Sequence, residues 1–293
     1  MAEGVVITGM RRSGTSLTAN ILRGMGFVFH NDARSADNFN EEGYWESRRS
    51  EILNTKLLSY LGGDQDKPGG TPKGWENDKK LQKLSHECES FVSELQSHEL
   101  WGWKDTRLCI TLPFWKRYLG KDVNYLVCVR NPLEVARSWH KMDRNIDIAT
   151  ATSLWFTFTA NALKSTFGES TLLIFHEDYF SQPEAQISKI ASFIGRKYDP
   201  AVLSVAAHNL RHQESSPNEL LMHPDVSDSV KLLYSSLLLS KSDKPILRSL
   251  QEQFKDYSKG FSSWNRRVVH RLKYYASFGD GRILTRILKG IVT

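Results

Sequence analysis

Short uninterrupted apolar runs alternate with longer amphipathic stretches along much of this chain. Val5-Val6-Ile7, Leu100-Trp101-Gly102-Trp103, Tyr125-Leu126-Val127-Cys128-Val129 and Leu172-Leu173-Ile174-Phe175 each end in a polar turn. Continuous runs of this kind are buried on both faces, as strands of a parallel sheet are. Phe27-Val28-Phe29-His30 predicts one more short strand.

The intervening segments carry helical periodicity. The spacing predicts helices from the first turn through Met25, from Tyr44-Trp45-Glu46 to about Leu61, over Glu76–Ser97 and over Leu112–Tyr118. Pro132 suits the first turn of a helix through Met142, and Asp147 the cap of a helix to about Phe167. Pro183–Ile194 reads as a helix closed by Gly195, followed by helices near Pro200–Ala207, Ser227–Leu239 and Pro245–Tyr257. Asn31–Gly43 is polar and predicts a loop over the first turn. Gly62–Gly74 is rich in Gly, Pro, Asp and Lys and predicts a mobile surface loop able to close on a substrate. Alternating strands and helices give an α/β fold, a parallel sheet with helices on both faces in three layers.

The first strand breaks into a helix through Met10-Arg11-Arg12-Ser13-Gly14-Thr15-Ser16. Such a turn aims unpaired backbone N–H groups and the positive end of the helix dipole at one point, where an anion binds. Arg11 and Arg12 add charge, Ser13, Thr15 and Ser16 add hydroxyls, and Gly14 lets the backbone approach a ligand. A nucleoside-triphosphate loop carries Lys before its hydroxyl residue, yet here Thr15-Ser16 follow Gly14. An ordinary turn in which Ser13 caps the helix is the plainer alternative.

Composition changes this picture little. The 293 residues are 40% hydrophobic and 25% charged, as in an average globular protein, and the length suits one large α/β domain or two small ones. A net charge of +6 favours an anionic partner, and much of the excess follows Trp264. Three cysteines, Cys88, Cys109 and Cys128, lack metal spacing and read as reduced thiols. With no leader or membrane-spanning run, the expectation is a cytoplasmic protein. Nucleic acid is excluded as a partner, because no recognition motif accompanies the charge.

Ligands of open parallel sheets bind at the carboxyl ends of the strands. Those ends supply Arg11–Ser16, then Lys104, Asp105 and Arg107, then Arg130, with Ser138 on the following helix. Cations on neighbouring strand ends imply a ligand with at least two anionic groups.

These residues resemble the sulfotransferases that use 3'-phosphoadenosine 5'-phosphosulfate (PAPS). Arg12-Ser13-Gly14-Thr15-Ser16 is similar to the family's 5'-phosphosulfate loop, R-S-G-T-[ST]. Arg130-Asn131-Pro132 with Ser138, eight positions after Arg130, is similar to its 3'-phosphate motif. Trp103-Lys104-Asp105-Thr106-Arg107 resembles the K-D-P-R strand end of bacterial-type and tyrosylprotein sulfotransferases, with Thr106 in place of Pro. Gly43-Tyr44-Trp45-Glu46 with Asn54 resembles the G-[YF]-[FW]-E…N element of the bacterial branch. The resemblance covers Met1 to Gly195. It implies the P-loop-nucleotide-hydrolase-like sulfotransferase fold with a helical C-terminal extension, and PAPS as donor without a metal. It implies that Arg11, Arg12, Ser13, Gly14, Thr15 and Ser16 hold the 5'-phosphosulfate, with Arg12 and Lys104 also stabilising charge in the transfer. Arg130 and Ser138 would hold the 3'-phosphate, and Glu46 would act as base toward the hydroxyl, or as a lesser alternative the amine, of a small-molecule or saccharide acceptor.

Glu42, Asp105, His30 and His140 remain alternative bases. Trp101, Trp103 and Trp139 could stack on adenine or fill a core, and Trp155, Phe156 and Phe158 could line a pocket or be core. The domain reading is a sulfotransferase domain over 1–261 and a basic amphipathic tail over 262–293. That tail suits a membrane surface, a protein partner or simple packing. A phosphate-loop kinase using ATP and magnesium, and a catalytically silent nucleotide-binding scaffold, are the competing functions.

Overall fold

The computed structural model describes residues 3–32, 45–207, 214–241 and 244–254. Four parallel strands form the sheet: β1 (Glu3–Gly9), β2 (Leu100–Lys104), β3 (Val123–Val129) and β4 (Thr171–Phe175), in the order β2-β1-β3-β4. The chain leaves β1 toward β2 on one side and returns to β3 on the other. The crevice of such a sheet opens at the carboxyl ends where this direction reverses, beside Gly9 and Val129.

The described helices are α1 (Thr15–Gly24), α2 (Arg48–Tyr60), α3 (Ser85–Gln96), α4 (Leu108–Leu119), α5 (Pro132–Met142), α6 (Ile148–Ser165), α7 (Asp178–Ser181), α8 (Pro183–Phe193), α9 (Val202–Ala207), α10 (Pro217–Met222), α11 (Asp228–Ser240) and α12 (Lys244–Phe254). They fall into two compact units, Met1–Arg130 with Gly168–His212, and Asn131–Phe167 with Gln213–Thr293.

The first unit carries the sheet and is apolar on both faces. Val6, Trp101, Trp103 and Tyr125 pack against α2, α3 and α4, where Leu57, Phe91, Leu112 and Trp115 are fully buried. Val5, Ile7, Leu126, Cys128 and Ile174 face the other way, onto Ile21 and Leu22 of α1 and Ile187 and Ile190 of α8. Alternation along β1 thus divides one strand between two cores, which is the three-layer arrangement. Trp101 and Trp103 belong to the interior: Trp103 meets Trp115 edge-on at 4.7 Å and Phe91 at 5.1 Å.

In the second unit α6 packs on α5, α11 and α12. Its core includes Trp155 edge-on to Tyr234 at 6.0 Å and Phe156 to Phe254 at 6.2 Å. These aromatics, with Phe158, are core. Asp147 caps α6 through the Thr150 N–H, and Asn131 caps α5 through the Leu133 N–H with Pro132 in the first turn.

Several boundaries differ from the expectation. Phe27–His30 makes no fifth strand. Only Val28 bridges Trp101, and the Phe29 ring packs where a side chain on Gly102 would stand. Glu76–Ser97 is not one helix. Two 3₁₀ turns, Trp75–Asn77 and Lys79–Leu84, precede α3, and extended Asp78 separates them while its carboxylate accepts the Lys80 N–H. The second helix begins at Arg48 rather than Tyr44. Ser47 caps it, and the Asp32 carboxylate accepts the Ser47 hydroxyl and the Arg49 N–H. Asn31–Gly43 and the tail over 262–293, with the boundary at 262, lie wholly or mostly outside the described residues. Among the described residues no helix is long and apolar enough to cross a membrane.

Burial raises the thiols of Cys88, Cys109 and Cys128 to about 12, countered at Cys109 by the Thr8 hydroxyl and at Cys128 by that of Thr18. All three therefore stay protonated at neutral pH. The folded state holds protons that an unfolded chain releases above about pH 8.5, so stability is lost as pH rises toward 12. We expect the melting temperature to fall between pH 8 and 10.5, and iodoacetamide at pH 8 to label none of the three before denaturation, as read by mass spectrometry.

Candidate active site

β1 ends in a tight turn. The Ser13 N–H bonds the Met10 carbonyl at 3.1 Å, and Arg12 takes a left-handed backbone with φ 68°. Gly14 follows at φ 87° and is the N-cap of α1; no side chain caps this helix. Ser13 is therefore not a cap. Its amide is used within the turn, while its buried hydroxyl has no hydrogen-bond partner among the described residues. The first amides of α1 add the partial positive charge of a helix start. A Cβ on Gly14 would come within 2.6 Å of the His176 ring, so glycine is required here for space as well as conformation. His176, which follows β4 and whose N–H bonds the Val129 carbonyl at 2.9 Å, is a neighbour that motif reading overlooked.

Two further strand ends converge on this turn. From β3, the buried Arg130 guanidinium donates to the Arg12 carbonyl at 3.1 Å. From β2, Lys104 Nζ reaches Glu46 Oε1 at 2.9 Å and Ser16 Oγ at 3.5 Å. Lys104 is buried, with 3% of its side chain exposed against 13% for Glu46, so this is not a surface ion pair. Glu46 precedes the α2 cap Ser47 and lies outside the first turn, where Glu51 is the acidic residue. Its carboxylate faces the Lys104 ammonium instead of the helix dipole. Trp45, just before it, is left-handed at φ 55° and lies under the Arg23 guanidinium at 3.8 Å.

Behind Lys104 stands a closed polar network. Asp105 is fully buried, and both its oxygens are taken. Oδ1 accepts the Arg107 N–H at 2.8 Å and its guanidinium at 3.1 Å; Oδ2 accepts the Ser50 hydroxyl at 2.6 Å and Asn54 Nδ2 at 2.9 Å. Asn54 Oδ1 in turn accepts Thr111 Oγ1 at 2.6 Å and Trp115 Nε1 at 2.8 Å. Burial opposes the Arg107 charge, but Asp105, Glu46 and Glu51 outweigh it and raise its pKa. Asn54 of the motif thus joins α2 to the end of β2 and to α4.

The remaining expected residues lie as follows. Ser138 is buried on α5 in the second unit. His140 Nδ1 donates to the Ile146 carbonyl at 2.8 Å. His30 stacks on Phe91 at 4.3 Å, and burial lowers its pKa against the pull of Glu94. Glu42 is outside the described residues. The Gly62–Gly74 loop is attached, not open: Asp66 pairs with Arg11 at 2.7 Å and Gln65 donates to Thr106 at 3.0 Å. Nothing in its turn-like composition marked either contact. Among the described residues no three His, Cys, Asp or Glu side chains group to hold a metal ion.

Fold and site together define a parallel α/β protein that gathers the cationic side chains of Arg11, Lys104 and Arg130 at the carboxyl edge of its sheet. The sequence matches the sulfotransferase domain family over residues 2–259, and the chain belongs to that family. Among solved structures it is similar to the sulfotransferase domain of the Synechococcus PCC 7002 olefin synthase, at 19% identity over 86% of this chain and 94% of that one, TM-score 0.46. It is also similar to the sulfotransferase domain from the curacin biosynthetic pathway, at 16% identity over 93% and 98%, TM-score 0.48. A third is sulfotransferase STF9 from Mycobacterium avium, at 13% over 89% and 79%, TM-score 0.44. A search of curated proteins returns no significant match.

The Asp105 network gives a test of its own. Asn54→Leu removes one donor to a buried carboxylate and leaves the Trp115 indole N–H without its acceptor, while the Thr111 hydroxyl keeps the Arg107 carbonyl. We expect a loss of roughly 2–4 kcal/mol in denaturant unfolding; a loss below about 1 kcal/mol would show the network to be dispensable.

Proposed function

We propose that this sulfotransferase transfers the sulfuryl group of PAPS to a hydroxyl of a small-molecule or saccharide acceptor. The observation that carries the reading is the meeting of Lys104, Glu46 and Ser16 at the mouth of the turn that ends β1. The unpartnered Ser13 hydroxyl and the Arg130 guanidinium beside the same turn fit an anionic donor. PAPS supplies an activated sulfuryl group and a nucleotide leaving group.

The residues divide the work by charge. Ser13, Gly14, Thr15 and Ser16 with Arg11 and Arg12 receive the 5'-phosphosulfate end through hydroxyls, amides and guanidinium groups. Arg130, and Ser138 by its motif position, receive the 3'-phosphate. An ammonium already oriented and dehydrated stabilises charge growing on the transferred group more strongly than water does. Lys104 has that setting, and an ammonium can donate to more than one oxygen at once.

Glu46 is the base in this reading. Its alternative Asp105 has every oxygen committed to protein donors, whereas Glu46 makes one ion pair and is partly open. Before the donor arrives, Lys104 engages the Glu46 carboxylate. A donor anion draws the ammonium toward itself and leaves the carboxylate able to take the proton of the acceptor hydroxyl.

Calorimetry tests the donor first. The protein should bind 3'-phosphoadenosine 5'-phosphate (PAP) without metal, and binding only of ATP with magnesium would overturn the reading. Glu46→Gln should lower turnover by about 10²–10⁴-fold with PAP affinity nearly unchanged; unaltered turnover would move the base elsewhere. Arg130→Ala should weaken PAP far more than adenosine 5'-phosphosulfate, which lacks the 3'-phosphate, and equal weakening would remove Arg130 from that role.

A further inference from the structure

The loop after α2 is built to hold one carboxylate against the phosphate turn. Its base is narrow, since a Cβ on Gly63 would lie 2.1 Å from the Gly69 nitrogen and one on Gly69 would lie 1.9 Å from the Leu61 carbonyl oxygen. Its tip is shaped by Asp64, whose Oδ1 accepts the Asp66 and Lys67 N–H groups at 2.7 Å each, while the Asp64 N–H bonds the Lys67 carbonyl at 3.1 Å. The Asp66 side chain takes no part in that turn. It extends to Arg11, Oδ1 to Nη2 at 2.7 Å, and is 64% exposed where the Arg11 side chain is 24% exposed. Beside it Gln65 Nε2 donates to Thr106 Oγ1 at 3.0 Å, a hydroxyl that a proline at this place in the Lys104-Asp105-Thr106-Arg107 strand end could not provide.

We propose that Asp66 is a tethered anion that competes with the donor for Arg11, and that this competition sets donor affinity. The inference rests on the PAPS reading above. Arg11 belongs to the turn that receives the 5'-phosphosulfate, and burial opposes its charge while Asp66 supports it. In the absence of donor the loop supplies the counter-charge that a half-buried guanidinium requires. An exposed carboxylate pair is weak, whereas phosphate and sulfonate oxygens form charge-assisted, bidentate bonds to the same fork. The donor therefore displaces Asp66 from Arg11, and breaking that pair is the cost it meets on binding. Asp66 is the residue that keeps donor binding moderate, with Gln65 and Thr106 holding the loop in place for the exchange.

Calorimetric titration with PAP of the full chain, Asp66→Asn, Arg11→Ala and the double variant tests this. Asp66→Asn keeps the shape of the side chain, and the turn does not depend on its charge, so the variant should fold. It should bind PAP roughly three- to tenfold tighter than the unaltered protein. In the Arg11→Ala background the same substitution should change affinity by less than about twofold, because the competed group is gone. Unchanged or weaker binding by Asp66→Asn overturns the proposal. Equal tightening with and without Arg11 also overturns it, since it would reduce Asp66 to a general repulsion. No PAP binding by the unaltered protein would remove the PAPS reading itself, an outcome distinct from a protein that binds PAP and ignores residue 66.

Discussion

A single buried carboxylate holds the site in register. Asp105 lies just beyond β2, fully enclosed, and a charge in that position is tolerable only when its oxygens are saturated. Ser50 and Asn54 come from α2, and Arg107 comes from the start of α4, so satisfying one anion ties two helices to one strand end. Lys104 is the residue before it and Glu46 lies just before α2. The same bonds that settle Asp105 therefore bring the Glu46 carboxylate over the Lys104 ammonium. An error of one helical turn in α2 would separate that pair and leave a buried charge unpaired.

The rest of the site follows from strand order. Because β1 lies between β2 and β3, its turn meets Lys104 from one neighbour and Arg130 from the other. Cations on three adjacent strands would repel one another without counter-charges, and the fold supplies Glu46 to Lys104, Asp66 to Arg11, and Asp105 with Glu51 to Arg107. Some of these pairs are structural and closed. Those of Lys104 and Arg11 include a partly exposed carboxylate.

The residues that carry the motifs were legible because each occupies a place that local chemistry dictates. A buried apolar run ending in a basic, hydroxylic turn announces a strand meeting a helix start, and Arg11–Ser16 and Lys104 lie where that pattern puts them. The proline start of α5 and the Asp147 cap of α6 are similarly local. The edge segment at Phe27–His30 has strand composition, but pairing is a tertiary event, and here only Val28 bridges Trp101. The Glu76–Ser97 periodicity is genuine in α3, yet Asp78 offered the backbone a competing bond and divided the segment.

By itself, then, the sequence determined the layer pattern, the parallel sheet, the tight turn between β1 and α1 and the family, since these depend on periodicity and on residue types at short spacing. Only the tertiary structure decided that Lys104 is buried against Glu46 and that Asp105 is committed to structure. It also decided that the polar loop after α2 delivers Asp66 to Arg11. Each of these joins residues some 50 to 60 positions apart, apart from the closer Asp105–Arg107 contact, through side chains whose local surroundings look like ordinary loop or helix. Such partners are chosen by where the packed sheet and helices leave a charge without water, and no local pattern records that.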